Sequence, residues 1–561
     1  MSPTPDRDAR LARWLKRSAY APMTWPRLVL MGVLVLVTVV CALWDTALQH
    51  RAAGVVLGWS SLWDYAYAPF LYLVPQSSLA QAVTLTPPQM VARIVGPLIP
   101  LLSLFWLVRQ RLMVWLADLL VAHRARGHHV IIGSAGSADG IARASSLAGE
   151  VVVLVDPAIA DDEDRRQTLG AAGVVCLHAP GKALARAGAV LVWQASDAEN
   201  IATAVALRAG QRLKVEEIDL ALESTELHHA LLQSPDLMLE HAVRLRPHSV
   251  SGAAVRAALA GPALLQRAAD RGQPCVTLCL WGRSDALVWA AEIALKQFWS
   301  ARLGAPRVLW VTPARDDALP EIFAGLCCHA GDVFGGPAIT PQVMAISAEA
   351  ALAEHSITCH LIDAGQPDAT LAQAFALAAE LRQRYADPAP VRAILSGERA
   401  IAPLFATSQL AFLPPIIPGA GLTLTALRNR AADRDAARIH MAYARAFGAD
   451  HTLPASGDWR DLDETYVAAN RAAADHLAVK QWDAATAGLE GAALIEAMAE
   501  TEHHRWCTER LLSGWAPAGD LPRDNIRRLH PDLRPWAALD DKAREKDRDA
   551  VKGALAPAPN P

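Results

Sequence analysis

The chain has 561 residues, of which 52% are hydrophobic and 20% charged, so it is too long for one hydrophobic core and apolar enough to fold along most of its length. Its formal net charge of −4 argues against a general nucleic-acid binder, because phosphate binding usually leaves a basic excess. Eight scattered cysteines are too sparse for a disulfide scaffold and fit a reducing compartment.

Two apolar stretches near the N-terminus predict a transmembrane hairpin. After a basic arm over 1–26, no residue from Leu28 to Trp44 is charged, which predicts a first transmembrane helix over 27–48. A cleaved signal peptide is the alternative, but its apolar region would be shorter. The run from Ile94 to Val108 predicts a second transmembrane helix with a linker helix over 93–122, for which a buried soluble helix is the alternative.

The distribution of charge predicts the orientation of this hairpin. The outer flanks of the two spans are basic, whereas the loop between them, over 49–92, is aromatic, and its only cations are Arg51 near one edge and Arg93 just past the other. Because cationic flanks stay cytoplasmic, both termini should lie inside, at the inner (plasma) membrane, and the loop should be extracytoplasmic or re-entrant. The basic flank residues are Arg7, Arg10, Arg13, Lys16, Arg17, Arg27, Arg109, Arg111, Arg124 and Arg126.

The residues after the hairpin have the pattern of a dinucleotide-binding fold over 127–260. A short apolar run ends at Gly133, a helical pattern follows, and a second run ends at Asp156, 23 positions after Gly133. Dinucleotide folds place a carboxylate about 20 residues after this glycine, against the ribose. The frame from Gly133 to Ala138, which includes Gly136, carries Ala135 and Ala138 where the second and third fingerprint glycines belong, and this weakens binding of NAD or another nucleotide. A purely structural Rossmann-like domain is the alternative.

This region resembles the RCK (TrkA-N-type) regulatory domain over about 93–250. The segments that carry the resemblance are RGHHVIIGSAG, VVVLVD and VLVWQASDAENIATAVALRA, the last of which contains Asp197 and Asn200. The resemblance implies a domain that regulates cation transport by binding a nucleotide or ion, and it adds Asp197 to Gly133, Gly136 and Asp156 as cofactor-binding candidates. A second, degenerate Rossmann-like domain is predicted over 272–425, where only the first glycine, Gly282, is present.

The C-terminal part, over 430–553, contains an internal repeat. The pattern Trp459, Leu462, Asp463 recurs as Trp536, Leu539, Asp540, an offset of 77 residues from position 459 to position 536. The acidic residues of each copy are predicted to cap the next helix near its positive end. The last residues, 554–561, read as a flexible tail.

The second copy strongly resembles the ryanodine-receptor (RyR) repeat domain. The matching positions are His504, Trp506, Trp515, Gly519, His530, Pro531, Leu533, Trp536, Leu539, Asp547 and Arg548. Bacterial members of this family have been proposed as sensors of nucleotide-derived ligands, often in defence systems. Aromatic faces beside charged groups would suit such a ligand, while a small helical core built on the same tryptophans is the alternative. The ligand-binding candidates are His504, Arg505, Trp506, Trp515, Asp524, His530, Trp536 and Arg548.

The sequence therefore predicts an α/β plus α protein with transmembrane helices: a hairpin, tandem Rossmann-like doubly wound domains and a C-terminal helical RyR-type domain. The expected function is sensing of a small, nucleotide-derived ligand to regulate the hairpin, which is expected to be related to ion transport or anti-phage defence. Two helices cannot enclose a pore, so a homo-oligomer in the lipid bilayer is expected, with a small-molecule partner and no nucleic acid. The alternatives are a membrane-tethered, non-catalytic scaffold and an anchored enzyme. No catalytic residue set or metal site can be identified, so no enzyme activity is expected.

Overall fold

A computed structural model describes residues 6–21, 25–54, 58–73, 86–134, 136–210, 213–234, 243–312, 319–395, 402–418, 423–427, 430–447, 459, 462 and 464–555. They fall into two compact units, the first comprising residues 1–128 and 149–186 and the second residues 129–148 and 187–561. Most of the predicted tail lies outside the described residues, as do 74–85 of the loop between the spans.

Two of the helices of the first unit are long and apolar enough to cross a membrane. The helices are α1 (Arg7–Tyr20), α2 (Trp25–Ala52), α3 (Trp59–Leu71), α4 (Pro87–Val95) and α5 (Leu98–His123). The candidate spans are Val29–Ala52, within α2, and Pro87–His123, which covers α4 and α5 together. Only 17% and 11% of the residues in their apolar windows are buried. A core helix of a soluble domain would be mostly buried, so these helices expose apolar surface that lipid would cover.

The loop between the spans contains a helix, α3, which was not predicted from the aromatic composition of the loop. Trp59, Trp63 and Phe70 on this helix are all exposed. The end of the loop is fixed to α2 through Asp45, which is almost fully buried. The Asp45 carboxylate accepts hydrogen bonds from Tyr72 Oη at 2.7 Å and Thr86 Oγ1 at 2.6 Å, and Thr86 also caps the N-terminus of α4.

The basic N-terminal arm forms the amphipathic helix α1, which packs along α5. A row of small apolar side chains on α1 is buried, and so are Met113, Ala117 and Val121 on the C-terminal half of α5. Lys16 has no exposed surface, and its Nζ lies 3.0 Å from Asp118 Oδ1. At the far end of α1, Arg17 Nε donates to the carbonyl of Ala172 at 2.9 Å. Helix α1 is therefore integrated into the first unit, where it contacts both α5 and the helix Glu163–Ala171.

The first sheet has the strand order of a doubly wound fold. Its strands are β1 (His129–Ile132), β2 (Val152–Val155), β3 (Val175–Leu177), β4 (Ala189–Val192), β5 (Glu217–Ala221) and β6 (Arg244–His248), in the order β3-β2-β1-β4-β5-β6. The pairs β2–β3, β1–β4, β4–β5 and β5–β6 are parallel. The connecting helices are α6 (Gly136–Leu147), α7 (Glu163–Ala171), α8 (Gly181–Leu184), α9 (Asp197–Gly210), α10 (Thr225–Leu232) and α11 (Val250–Leu259). This order confirms the predicted fold class.

The second sheet is also parallel and places its first strand at the centre. Its strands are β7 (Thr277–Gly282), β8 (Arg307–Val311), β9 (Gln342–Ile346), β10 (Cys359–Asp363) and β11 (Val391–Ala393), in the order β11-β10-β7-β8-β9. The helices around it are α12 (Ala263–Asp270), α13 (Asp285–Gln297), α14 (Ala324–Phe334), α15 (Ala348–Ala353), α16 (Pro367–Arg384), α17 (Ala402–Thr407) and α18 (Leu424–Leu427). Helix α13 is buried almost throughout and anchors the core of this region.

The C-terminal part is helical, as predicted. It comprises α19 (Arg430–Phe447), α20 (Glu464–Asp475), α21 (Leu477–Thr486), α22 (Gly491–Leu512) and α23 (Asp541–Leu555), with the short strands β12 (Ala516–Pro517) and β13 (Leu529–His530). Asp540 caps α23 by accepting from Ala543 N at 2.7 Å. The equivalent Asp463 of the first repeat copy lies outside the described residues, so the predicted cap there is not seen.

Candidate functional site

The glycine that ends β1 is required by packing between neighbouring strands. A Cβ atom on Gly133 would lie 2.1 Å from the carbonyl oxygen of Trp193, which follows β4. The same position would be 3.1 Å from the Cβ of Ala138, which is fully buried. Strand packing alone therefore explains Gly133. Gly136 begins α6, and Ala135 lies outside the described residues.

Asp156, the acidic residue at the end of β2, uses both carboxylate oxygens within its own segment. It is 1% exposed, and Oδ1 accepts from Ala158 N at 2.9 Å. The other oxygen, Oδ2, forms an ion pair of 2.5 Å with Nη1 of Arg165. A ribose would have to compete with both of these partners for the carboxylate.

Asp197 and Asn200, at the start of α9, bind backbone groups of the neighbouring strand–loop segments. The carboxylate of Asp197 accepts from Ser224 N at 2.8 Å and Glu223 N at 3.1 Å, after β5. Asn200 Nδ2 donates to the carbonyl of Ala221 at 2.9 Å, and its Oδ1 accepts from Gln194 N. In this structure, both residues hold together the ends of β4 and β5.

Arg505, in the centre of α22, belongs to a buried cluster of charges. Its guanidinium pairs with both oxygens of Glu502 at 3.0 Å, and Glu502 also lies 2.9 Å from Lys480 Nζ and 3.3 Å from His476 Nδ1. Burial alone would raise the pKa of Glu502, but Arg505 and Lys480 outweigh it and hold this pKa well below its ordinary value. The arrangement joins α21 to α22 and gives Arg505 a structural partner.

His504, on the adjacent face of α22, packs against aromatic side chains. Its ring centroid is 5.3 Å from Trp299 and 5.8 Å from Phe334, and the residue is 4% exposed. This burial lowers the pKa of His504 to about 3, so the imidazole is neutral at physiological pH. The contacts are those of a core residue.

Three of the predicted ligand residues meet in one aromatic group. His530 lies edge-on between Trp506 and Trp515, at centroid distances of 4.9 and 5.9 Å. Two guanidiniums flank Trp515: that of Arg510 at 5.7 Å and that of Arg523 at 5.4 Å from the ring centroid. We call these five residues, with Tyr466, the Trp515 cluster; Tyr466 Oη accepts from Arg523 Nη2 at 2.6 Å.

The Trp515 cluster contains hydrogen-bond donors without acceptors. Among the described residues, Trp515 Nε1 and Arg510 Nη2 are buried and have no partner. Arg510 Nε does pair with Glu509 Oε2, at 2.6 Å. Burial lowers the pKa of His530 to about 3, so its ring is neutral beside the two arginines. Since buried polar groups are nearly always satisfied, these donors favour an acceptor that the protein does not itself supply.

The remaining three ligand candidates lie in other arrangements. Trp536 is 7% exposed and packs in a small apolar core between α22 and α23, with Arg544 over its ring at 5.6 Å. Arg548 forms ion pairs with Glu496 at 2.8 Å and Asp541 at 2.8 Å. Asp524 accepts from the backbone N–H groups of residues 526 and 527 and so shapes the turn before β13.

Sequence reasoning did not find the two arginines and the tyrosine of the Trp515 cluster. A helical signal was available for Arg510, because Trp506 and Arg510 are four residues apart and so share a face of α22. Arg523 and Tyr466 come from a loop and from α20, and no local pattern relates them to Trp515.

Residues 488–557 match the RyR domain family, which confirms the resemblance found in the sequence of this part of the chain. No curated protein matches the chain. Solved structures with similarity include the GsuK channel bound to NAD, at 12% identity and a TM-score of 0.33, covering 74% of this chain and 85% of that one. GsuK bound to ADP is similar at 13% identity and a TM-score of 0.32, covering 70% of this chain and 95% of that one.

Proposed function

We propose that this chain is a ligand-gated membrane protein with a channel-like hairpin. Its RyR domain binds a nucleotide-derived ligand at the Trp515 cluster, and the bound state changes the hairpin within a homo-oligomer. Two spans per subunit can line a pore only if several subunits contribute them. Gating further requires that the ligand bind one of two states more tightly than the other.

The donors of the Trp515 cluster are the observation on which this proposal depends. Two buried donors, Trp515 Nε1 and Arg510 Nη2, have no partner among the described residues, and Arg523 adds a half-buried cation. Guanidiniums recognise phosphate oxygens, and aromatic faces stack on bases. A ligand with a base and an anionic group would satisfy both kinds of surface.

The packing of the N-terminal arm supports the proposed topology, in which both ends of the hairpin lie on the cytoplasmic side of the inner membrane. Helix α1 precedes the first span, yet it packs along the C-terminal half of α5, which ends the second span. The backbone N–H of Arg126 also donates to Asp6 at 3.1 Å. A basic arm beside the end of α5 fits the rule that cationic flanks remain cytoplasmic.

A non-catalytic, membrane-tethered scaffold is the second candidate, and the environment of Asp156 favours it. If the first α/β region bound a nucleotide as RCK domains do, its acidic residue would be available to a ribose. Asp156 is instead paired with Arg165 and the backbone of residue 158. The scaffold and the ligand-gated protein share one further expectation, that no nucleotide is turned over.

Ligand binding to the full-length protein in detergent separates these candidates. Under the proposal, at least one compound in a panel of nucleotides and cyclic dinucleotides raises the melting temperature, because it binds only the folded state. The same compound should then change ion flux through liposomes that contain the protein. An unchanged melting temperature across the panel would favour the scaffold, and consumption of a panel compound would indicate an enzyme.

Two arginines in one loop supply a matched pair of variants. Replacing Arg523 by Ala removes a cation from the Trp515 cluster, whereas Arg527→Ala removes an exposed cation four residues further on. The first variant should bind the stabilising compound at least about tenfold more weakly, the loss expected for one charge-assisted contact. Equal affinities for the two variants would contradict binding at the Trp515 cluster.

A further inference from the structure

The second unit contains a partly open cavity of about 430 Å³ whose lining includes no residue of the Trp515 cluster. Its walls come from α10 and α11 of the first α/β region, from α13 of the second, and from α20 of the helical part. Pockets for small molecules commonly lie where domains meet, with volumes of roughly 300–1,000 Å³. The cavity therefore has the position and the size of a binding site.

One side of the cavity is aromatic. Trp289 on α13 is 7% exposed, and its ring packs edge-on against His228 at 5.0 Å and nearly parallel to His229 at 6.4 Å. Burial lowers the pKa of His228 to about 3, so this ring is neutral at physiological pH. A flat, uncharged ligand would find apolar ring surface on this wall.

The charged side chains around the cavity are already paired with one another. Arg256 Nε lies 3.0 Å from Asp475, Lys296 Nζ lies 2.5 Å from Glu292, and Arg471 Nη1 lies 2.6 Å from Glu464. Glu292 Oε2 also lies within hydrogen-bonding distance of His229 Nε2, at 3.1 Å. Each cation thus faces a carboxylate, and the wall offers no surplus positive charge to a polyphosphate.

Two uncharged polar atoms in the wall lack partners among the described residues: Gln297 Oε1 and His228 Nδ1. Gln297 is 2% exposed, and its amide Nε2 donates to the carbonyl of Leu259 at 3.0 Å. That bond fixes the orientation of the amide, so the unsatisfied atom of Gln297 is an acceptor. A group that donates hydrogen bonds would complete this wall.

From these features we propose that the cavity binds the base of a nucleoside that carries an exocyclic amine, with adenine as the best-fitting class. The ring would pack against Trp289 and His228, and the amine would donate to Gln297 Oε1. Because the wall joins helices of three regions, the ligand would stabilise their association within the second unit. This site does not involve the Trp515 cluster, so each can exist without the other.

Calorimetry on the full-length protein in detergent tests this site with two matched ligands. Adenosine and purine riboside differ only by the exocyclic amine. Purine riboside would leave the buried acceptor Gln297 Oε1 unsatisfied, so adenosine should bind at least about tenfold more tightly. Gln297→Leu should bind the two ligands equally. Absence of adenosine binding to the unmodified protein, or equal affinities for the two ligands, would overturn the proposal.

A second pair of variants does not alter any hydrogen bond. Ala253 on α11 lines the cavity, and Ala253→Phe should fill it and abolish adenosine binding. Ala492 is exposed at the start of α22, and Ala492→Phe should bind adenosine as the unmodified protein does. Undiminished binding to a folded Ala253→Phe protein would place adenosine elsewhere. Trp515→Ala should leave adenosine binding unchanged, which distinguishes this site from the Trp515 cluster.

Discussion

The first α/β region and the Trp515 cluster both carry sequence patterns of nucleotide recognition, but they use their polar groups in opposite ways. In the first region Asp156 and Asp197 are satisfied by backbone N–H groups and an arginine. In the second, Trp515 Nε1 and Arg510 Nη2 are left without partners among the described residues. A motif identifies where functional groups lie, whereas their remaining hydrogen-bonding capacity indicates which of them can still bind something.

The largest expected effect concerns the buried charges around Glu502, which join α21 to α22. Glu502→Ala leaves Arg505 and Lys480 buried without their carboxylate, which should cost about 3–5 kcal/mol of unfolding free energy. Denaturant unfolding of the detergent-solubilised protein would measure it. Glu490→Ala, at an exposed position before α22, is the control and should change little. A stable Glu502→Ala protein would mean that these charges are hydrated.

The second effect tests whether Gly133 serves packing rather than phosphate binding. Gly133→Ala places a methyl group 2.1 Å from a backbone oxygen, and we expect a loss of roughly 3 kcal/mol or more. Gly140→Ala, inside α6, has open space around it and should stabilise the protein by up to about 1 kcal/mol. Thermal unfolding compares the two. Similar melting temperatures for the two variants would show that β1 and β4 can move apart enough to accept the methyl group.

The third effect distinguishes the two regions directly. Asp156→Asn removes the charge that pairs with Arg165 and should cost about 1–3 kcal/mol of stability. Affinity for the compound that binds the Trp515 cluster should stay the same, because Asp156 is occupied by internal partners. A loss of affinity larger than the loss of stability would restore the first α/β region as a nucleotide site.

The smallest effect is a dependence of stability on acid pH. The pKa of Glu502 is held below its unfolded value, so this residue contributes stability above about pH 4.3. That contribution is lost as the pH falls through the lower, folded-state pKa. Chemical denaturation at a series of pH values below about 4.3 should therefore show a steeper loss for the natural protein than for Glu502→Gln. If the unfolding free energies of the two proteins fell equally with pH, the acid sensitivity would come from other carboxylates.

Much of the fold could be predicted from apolar runs that end in glycine or aspartate. The runs ending at Gly133, Asp156 and Gly282 are strands, and the apolar stretches near the N-terminus are long helices. Strand β9 was not predicted because it is an edge strand that is only partly buried. Helix α3 was not predicted because its aromatic residues are exposed and carry no amphipathic pattern.

The candidate site was predictable only in part, for a related reason. The aromatic residues of the RyR match are close in sequence, and the structure brings Trp506, Trp515 and His530 together. Arg523 and Tyr466 are 57 residues apart and meet only in the folded protein. Whether an aspartate such as Asp156 is free or occupied also depends on tertiary contacts, which sequence spacing does not report.

The packing of α1 against α5 imposes an order on biosynthesis. Helix α1 leaves the ribosome before α5, and Asp118, the partner of its buried Lys16, is made about a hundred residues later, near the end of the second span. Until then the ammonium of Lys16 must stay hydrated and α1 must remain undocked, because burying an unpaired charge is costly. Docking of α1 onto α5 can therefore occur only after nearly all of the hairpin has been synthesised.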